Sequence, residues 1–359
     1  MADLYEALRK RLDSMSTGYP VTKSKQEIAI LKSLFSENEA KLFLDMTVFP
    51  ETPVQAGERL GKNPAELEQE LEAMAKKGLL MRVRSKGNVM YSILPFLVGI
   101  MEFQVKRLEH DKELAKQIAV YGIEGFFQSL QSLETPHQRT VPVHRDLVEK
   151  WPVAPFDDVI SILEKQKRIA VAPCVCRTMT KSLGIQKCGK PVETCMMFGK
   201  GADYYVENKM GRYISLDEAF SIIKRSDDAG LVLQPLNAKD AGAVCSCCGD
   251  CCGMMLSTKM QPKPSLMTRS SYFAVVNNEE CIGCGLCTER CQMEAVNIID
   301  EKAVIDLDRC IGCGLCVTKC PTDAVSLEKK KDEDLYDPPQ NHMAMFMRMA
   351  RDRGLLQKR

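Results

Sequence analysis

Histidine is scarce in this chain, with 4 in 359 residues, and no Ser/His/Asp set or paired carboxylates stand out. Net charge is almost absent as well: 49 Lys and Arg against 48 Asp and Glu leave +1. Nothing therefore draws the chain in bulk toward nucleic acid or anionic lipid. No long apolar run is present. The longest, YSILPFLVGIM from Tyr91 to Met101, is too short to span a bilayer and is broken by Pro95. No glycine cluster follows a strand in the spacing of a phosphate loop or a dinucleotide fingerprint. Cysteine, finally, is missing from the first 173 residues, and all 17 cysteines fall between Cys174 and Cys320. The opening MADLYEALRKRLDSM is amphipathic and charged, unlike a secretory signal. Clustered thiols in such a chain are expected to be metal ligands in a reducing cytoplasm, not disulfides.

The cysteine-free part is expected to be mostly helical. SENEAKLFLDMTVF, TPVQAGERLG and NPAELEQELEAMAKKGLL form three helical segments, two of them opened by the cap-then-proline pairs Thr52-Pro53 and Asn63-Pro64. MRVRSKGNVMYSI then alternates around Lys86-Gly87-Asn88, a hairpin signal. Residues 36–93 thus resemble the winged helix-turn-helix family. DNA binding would use the third helix, but that helix carries Glu66, Glu68, Glu70 and Glu72, with Lys76 and Lys77 only at its end. A helix approaching phosphates should be basic. Protein docking or dimerisation through this domain, and no nucleic acid, is the expectation. A long helical stretch from Val98 to about Gln131 follows, then a strand-like run from Thr140 to His144 flanked by His137. Both histidines are candidate ligands or acid/base groups, although nothing near them in sequence sets them apart from ordinary half-exposed side chains.

CIGCGLCTERC (Cys281 to Cys291) and CIGCGLCVTKCP (Cys310 to Pro321) are one motif written twice, each with C-x2-C-x2-C-x3-C spacing. A tight glycine-containing turn lets three nearby thiolates reach three corners of a cubane, with Gly283, Gly285, Gly312 and Gly314 keeping side chains clear. The stretch from Tyr272 to Leu327 resembles the two-cluster bacterial ferredoxin family, and strand-like runs surround both motifs. In that family the fourth cysteine of each run ligates the other cluster. The resemblance thus implies one [4Fe–4S] cluster on Cys281, Cys284, Cys287 and Cys320, and another on Cys310, Cys313, Cys316 and Cys291. Gln292 stands where the second run has Pro321.

Nine cysteines remain: Cys174, Cys176, Cys188 and Cys195, then Cys245, Cys247, Cys248, Cys251 and Cys252 in VCSCCGDCCG. Between the groups lie a helix starting after Ser215 and a strand-like run over 230–235, so both groups are expected to flank a small α/β element. The segment 173–253 resembles one found in multi-cluster ferredoxin-like proteins of anaerobes. Nine thiols serve one or two further Fe–S clusters, with zinc as the less favoured occupant and redox-active thiols as another use. A working assignment puts one cubane on Cys174, Cys176, Cys188 and Cys195 and another on four loop cysteines. Mixed sets drawn from both groups remain open. Neighbours such as Cys247 and Cys248 point opposite ways in an extended loop, so one member of a pair can face one site and the other a second.

The expected fold class is multidomain α+β. A helical, winged-helix-like domain covers 1–133, a small cysteine-rich α/β domain 134–265, a ferredoxin-like (βαβ)2 dicluster domain 266–330, and a linker with a C-terminal helix 331–359. That helix is expected to gather Met343, Phe346, Met347 and Ala350 on one face, for core packing or for a partner. The expected function is electron transfer through several clusters to or from a partner oxidoreductase or flavoprotein. A redox-sensing regulator, or a reductase acting at a middle-domain cluster, are the alternatives.

Overall fold

The structure is a computed structural model that describes residues 3–143, 154 and 156–356; His144 lies outside the described residues. Five helices open the chain: α1 (Leu4–Asp13), α2 (Gln26–Leu34), α3 (Glu37–Asp45), α4 (Pro53–Leu60) and α5 (Pro64–Lys76). Ser36 with Glu39 and Thr52 with Gln55 form capping boxes, and the Asn63 side chain accepts from the amides of Ala65 and Glu66. β1 (Met81–Ser85) and β2 (Asn88–Ser92) then pair as an antiparallel hairpin. Three helices and a hairpin therefore fall where the sequence predicts them.

The single long helix predicted from Val98 does not form. α6 (Val105–Leu108), α7 (Lys112–Tyr121) and α8 (Phe127–Gln131) form instead: the backbone is non-helical at Leu97–Gly99 ahead of α6, turns at 109–111 between α6 and α7, and breaks at Gly125 ahead of α8. Val98 there adopts a left-handed φ of 57°, which is costly for a β-branched residue. The amide of Gly99 donates to Glu102 Oε2 at 2.8 Å, so the kink is built around a carboxylate.

The middle of the chain is a five-stranded antiparallel sheet in the order β5-β3-β4-β7-β6. Its elements are α9 (Val159–Glu164), β3 (Ile169–Pro173), α10 (Val175–Ser182), β4 (Glu193–Phe198), α11 (Gly199–Glu207), β5 (Arg212–Ile214), α12 (Leu216–Asp228), β6 (Val232–Pro235) and β7 (Ala243–Cys247). The extended residues before the undescribed stretch run along β6, with the Val141 amide donating to the Leu233 carbonyl. α13 (Gly253–Lys259) and α14 (Pro264–Met267) lead to the C-terminal module. There β8 (Tyr272–Val276) pairs with β11 (Val325–Lys329), and β9 (Val296–Ile299) pairs with β10 (Lys302–Ile305), with α15 (Leu286–Arg290) between.

Side-chain contacts lock the parts together. Tyr204 of α11 donates to the carbonyls of Ala75 and Leu80, and buried Arg82 of the hairpin pairs with Glu72 and with Glu207 at 2.7 Å each. The hairpin is thus committed to the middle domain. Residues 336–340 strap across that domain, with the Lys239 amide donating to Pro339 O. α16 (His342–Asp352) ends against α1, where Arg353 pairs with Asp13 at 2.8 Å. Its buried stripe is Met345 and Met349, while Met343 and Met347 are exposed. Of the face predicted from the sequence, Phe346 packs against the N-terminal core, but Met345 and Met349 take the buried places expected for Met343 and Met347.

Candidate metal centres

In the C-terminal module two recesses each gather one set of four thiols. Cys281, Cys284 and Cys287 line one together with Cys320; Cys310, Cys313 and Cys316 line the other together with Cys291. The crossed sets arise because each run's fourth cysteine follows the three-residue spacer and is carried to the facing half. Glycine is required at the turns: a Cβ on Gly283 would lie 2.3 Å from Glu301 O, and one on Gly312 2.1 Å from Tyr272 O. Both are left-handed, at φ 65° and 64°. Backbone amides already point at sulfur, Ala303 to Cys281 at 3.3 Å, Ala295 to Cys291 at 3.2 Å and Ala274 to Cys310 at 3.4 Å. Such donors favour electron-rich cluster sulfurs and tune potential. Donor set, glycine turns and amide directions all fit two cubanes.

The two recesses differ in exposure. Cys284 is exposed, whereas the set closed by Cys291 shares a hydrophobic core with the middle sheet. At that seam the Gln292 side chain accepts from the Gly249 amide at 2.8 Å. Where the second run has Pro321, the first therefore makes a contact to the cysteine-dense loop. Arg290 reinforces it, reaching Asp227 Oδ1 at 2.7 Å and the Leu315 carbonyl at 2.7 Å.

The nine middle cysteines divide into six and three. Cys174, Cys176, Cys252, Cys247, Cys245 and Cys195 follow one another in space, each thiol acting on the acidity of the next. Acidities alternate along this chain. Cys252 is pushed well down, first by the Cys176 thiol and then by Cys247, and Cys245 well down by Cys195 and Cys247; Cys174 is lowered by Cys176. Cys176, Cys247 and Cys195 are pushed up by the same partners. Local structure explains the convergence. Cys245 and Cys247 share one face of β7, β4 beside it carries Cys195, and Cys174 and Cys252 cap the N-termini of α10 and α13. Amides of Arg177 face Cys174, and those of Met254 and Met255 face Cys252, which favours thiolate at both caps.

Cys188 does not join Cys174, Cys176 and Cys195, in contrast to the working assignment. The irregular segment after α10 carries it away from them, and it meets Cys248 and Cys251 instead. Its Sγ lies 3.5 Å from that of Cys251. Both adjacent pairs split, with Cys247 and Cys252 facing the six-thiol site and Cys248 and Cys251 facing away. Arg177, fully buried, stands between the groups. It donates to Ser246 O at 3.0 Å, to Thr194 and toward Cys248 Sγ at 3.8 Å. Burial alone would depress its pKa, but the negative charge at Cys174 and Cys248 outweighs burial and raises it.

Two further groups border the six-thiol site. His137, only 5% exposed, is pushed down to about 4 by burial, against the opposing charge of Cys245 and Cys252, and is neutral near pH 7. Glu102 is raised to about 7 by burial, opposed by the amides of Gly99 and Val98, with Cys245 adding to the rise. A recess opens beside His137 and Met254. Two buried side-chain atoms in residues lining it, Gln234 Oε1 and Thr268 Oγ1, have no hydrogen-bond partner. Glu102 gave no signal in the sequence. Arg177, directly after Cys176, and Asp250, between two cysteine pairs, carry no signal of their own beyond their place beside cysteines.

Among the described residues no helix is long and apolar enough to cross a membrane. No curated protein and no solved structure matches the chain. Residues 274–327 match the family model of a 4Fe-4S dicluster domain, and the C-terminal module is accordingly a dicluster ferredoxin-like domain with cysteine sets for two [4Fe–4S] clusters.

Proposed function

We propose that the chain is a cytoplasmic electron-transfer subunit or carrier in which three Fe–S sites form one path. Cys281, Cys284, Cys287 and Cys320 hold the outer cluster, and Cys291, Cys310, Cys313 and Cys316 the inner one. At least four of the six clustered middle thiols hold a third. A bound [4Fe–4S] cluster accepts and releases one electron at low potential. The observation that carries the reading is the graded burial: Cys284 is exposed, while the inner set packs into the same core as Cys176, Cys245, Cys247 and Cys252. The exposed end meets a redox partner protein, and the buried end receives or delivers the electron. Amides aimed at the sulfurs and the Arg177 cation offset the charge added on reduction. The N-terminal domain, with winged-helix element order, acts in protein docking; its acidic α5 and its committed hairpin weigh against DNA.

A second reading, reduction of a small substrate at the middle cluster, is favoured by one observation. Six thiols exceed the four that a cubane needs, and they lie beside neutral His137 and the recess with two unpartnered oxygens. Both readings are tested by anaerobic reduction with a low-potential one-electron donor, followed by EPR of each cluster. Electron transfer predicts that Cys284→Ser slows arrival of the electron at the middle site several-fold. Arrival at an unchanged rate, from a chain lacking its outer cluster, would remove the proposed order of the path.

A further inference from the structure

Cys188, Cys248, Asp250 and Cys251 each offer one ligand atom, and these four atoms all lie within 4.8 Å of one another. Ligands on a single tetrahedral ion with metal–sulfur bonds of about 2.3 Å are separated by about 3.8 Å. The 3.5 Å between the Cys188 and Cys251 sulfurs is close to that edge, and both cysteines are free, not bonded to each other. Cubane thiolates sit on different irons, so an iron–iron edge is added to their separation. The molecule contains its own comparison: no three of the eight dicluster thiols, all described, approach one another within 4.8 Å, and neither do any three of the six-thiol group.

A second, independent observation points to a ligand. Asp250 Oδ1 is buried with no well-formed hydrogen bond, and the groups that face its carboxylate are the thiols of Cys248, Cys188 and Cys251 themselves, an arrangement that a cation shared among them would complete. Cys248-Gly249-Asp250-Cys251 also has the C-x2-C spacing of a metal knuckle. The sulfurs have outer partners of the kind that orient metal ligands: Gln186 Nε2 points to Cys188 Sγ at 3.6 Å and Arg177 Nη1 to Cys248 Sγ at 3.8 Å. Three thiolates and a carboxylate around a dication leave two negative charges, one of which the buried Arg177 offsets.

We propose that these four residues bind one tetrahedral zinc ion, separate from every Fe–S site. Zinc has no accessible redox change, so the ion carries no electron. It closes the loop from residue 188 to residue 251 and, through the peptide bonds 247–248 and 251–252, fixes the direction of Cys247 and Cys252 into the six-thiol site. The ion is a staple for the ligands of its neighbour.

The test uses the full chain purified anaerobically, with zinc and iron quantified together and the zinc K-edge absorption recorded. The expected result is about one zinc per chain, with three sulfurs at about 2.3 Å and one oxygen at about 2.0 Å. Cys188→Ala and Asp250→Ala should each lower the zinc content toward zero. Iron content and the dicluster EPR signals should be retained, and those signals also report that the variant is folded. Loss of about four irons in Cys188→Ala with no zinc in the parent would overturn the proposal in favour of a cluster. Loss of one iron, or zinc content unchanged by both substitutions, would overturn it equally. The iron count of the six-thiol site is read separately, so failure of the zinc site and failure of the third cluster are distinguishable.

Discussion

Arg290→Leu tests the seam between the dicluster module and the middle domain. The guanidinium contacts Asp227 Oδ1 at 2.7 Å, with side-chain exposures of 13% and 7%, and also donates to the carbonyls of Leu315 and Asp227. Removing it leaves the Asp227 carboxylate buried with the Thr318 hydroxyl at 2.9 Å as its remaining side-chain partner. Breaking a buried pair from one side costs about 3–5 kcal/mol, because the surviving charge keeps its desolvation penalty. With a urea slope of about 2 kcal/mol per molar, the midpoint of the transition that reports this seam should fall by about 2 M. Cluster absorbance and far-UV circular dichroism, recorded anaerobically against urea, give that midpoint. Arg290→Leu with Asp227→Asn removes both charges and should recover a large part of the loss. A midpoint shift under about 0.5 M for Arg290→Leu, or a double variant worse than the sum of the single variants, would refute the reasoning.

Four other outcomes follow from the geometry. Cys247→Ser should lower iron content and leave zinc, whereas Cys248→Ser, one residue on, should lower zinc and leave iron; paired metal analysis decides this. Gly312→Ala places a Cβ 2.1 Å from Tyr272 O and should abolish the inner dicluster signal, whereas Gly285→Ala, with open space around it, should cost only about 1 kcal/mol of left-handed strain. Glu102 has a folded pKa raised from 4.5 to about 7, so its contribution to stability is present below about pH 4.5 and is lost as pH rises through about 7. Glu102→Gln should flatten that slope, which amounts to about 3 kcal/mol over the window, in denaturation series at several pH values. Arg177→Met removes the cation between the two thiol groups and should lower the midpoint potential of the middle cluster in a redox titration, by about 100 mV at an effective dielectric constant of about 20; an unchanged potential would separate Arg177 from that cluster.

The sequence carried some of this architecture and withheld the rest for identifiable reasons. Cap-then-proline pairs at Thr52 and Asn63 and the Lys86-Gly87 turn are local signals, and the helices and hairpin they predict are present. The doubled cysteine motif was legible because three ligands of each cluster sit in one turn. The helix expected over 98–131 failed because the backbone kinks at Leu97–Gly99, where the Gly99 amide holds Glu102, turns at 109–111 and breaks again at Gly125. The division of the middle thiols into six and three was not legible, since it depends on β4 lying beside β7 and on a segment that turns Cys188 away. Opposite facing of neighbours within Cys247–Cys248 and Cys251–Cys252 was available from backbone geometry alone. Which neighbour faces which site needed the sheet. Sequence reasoning left His137 as an ordinary side chain, because its neighbours Cys245 and Cys252 are over a hundred residues away.

The central claim is a third cluster beside the dicluster pair, and its most direct test is iron and acid-labile sulfide on the anaerobically purified full chain. Three cubane-sized clusters predict about twelve irons and about twelve sulfides per chain. Removal of Cys245 and Cys252 together should reduce both to about eight, with the two dicluster EPR signals intact. About eight of each in the parent chain, unchanged in that variant, would contradict it.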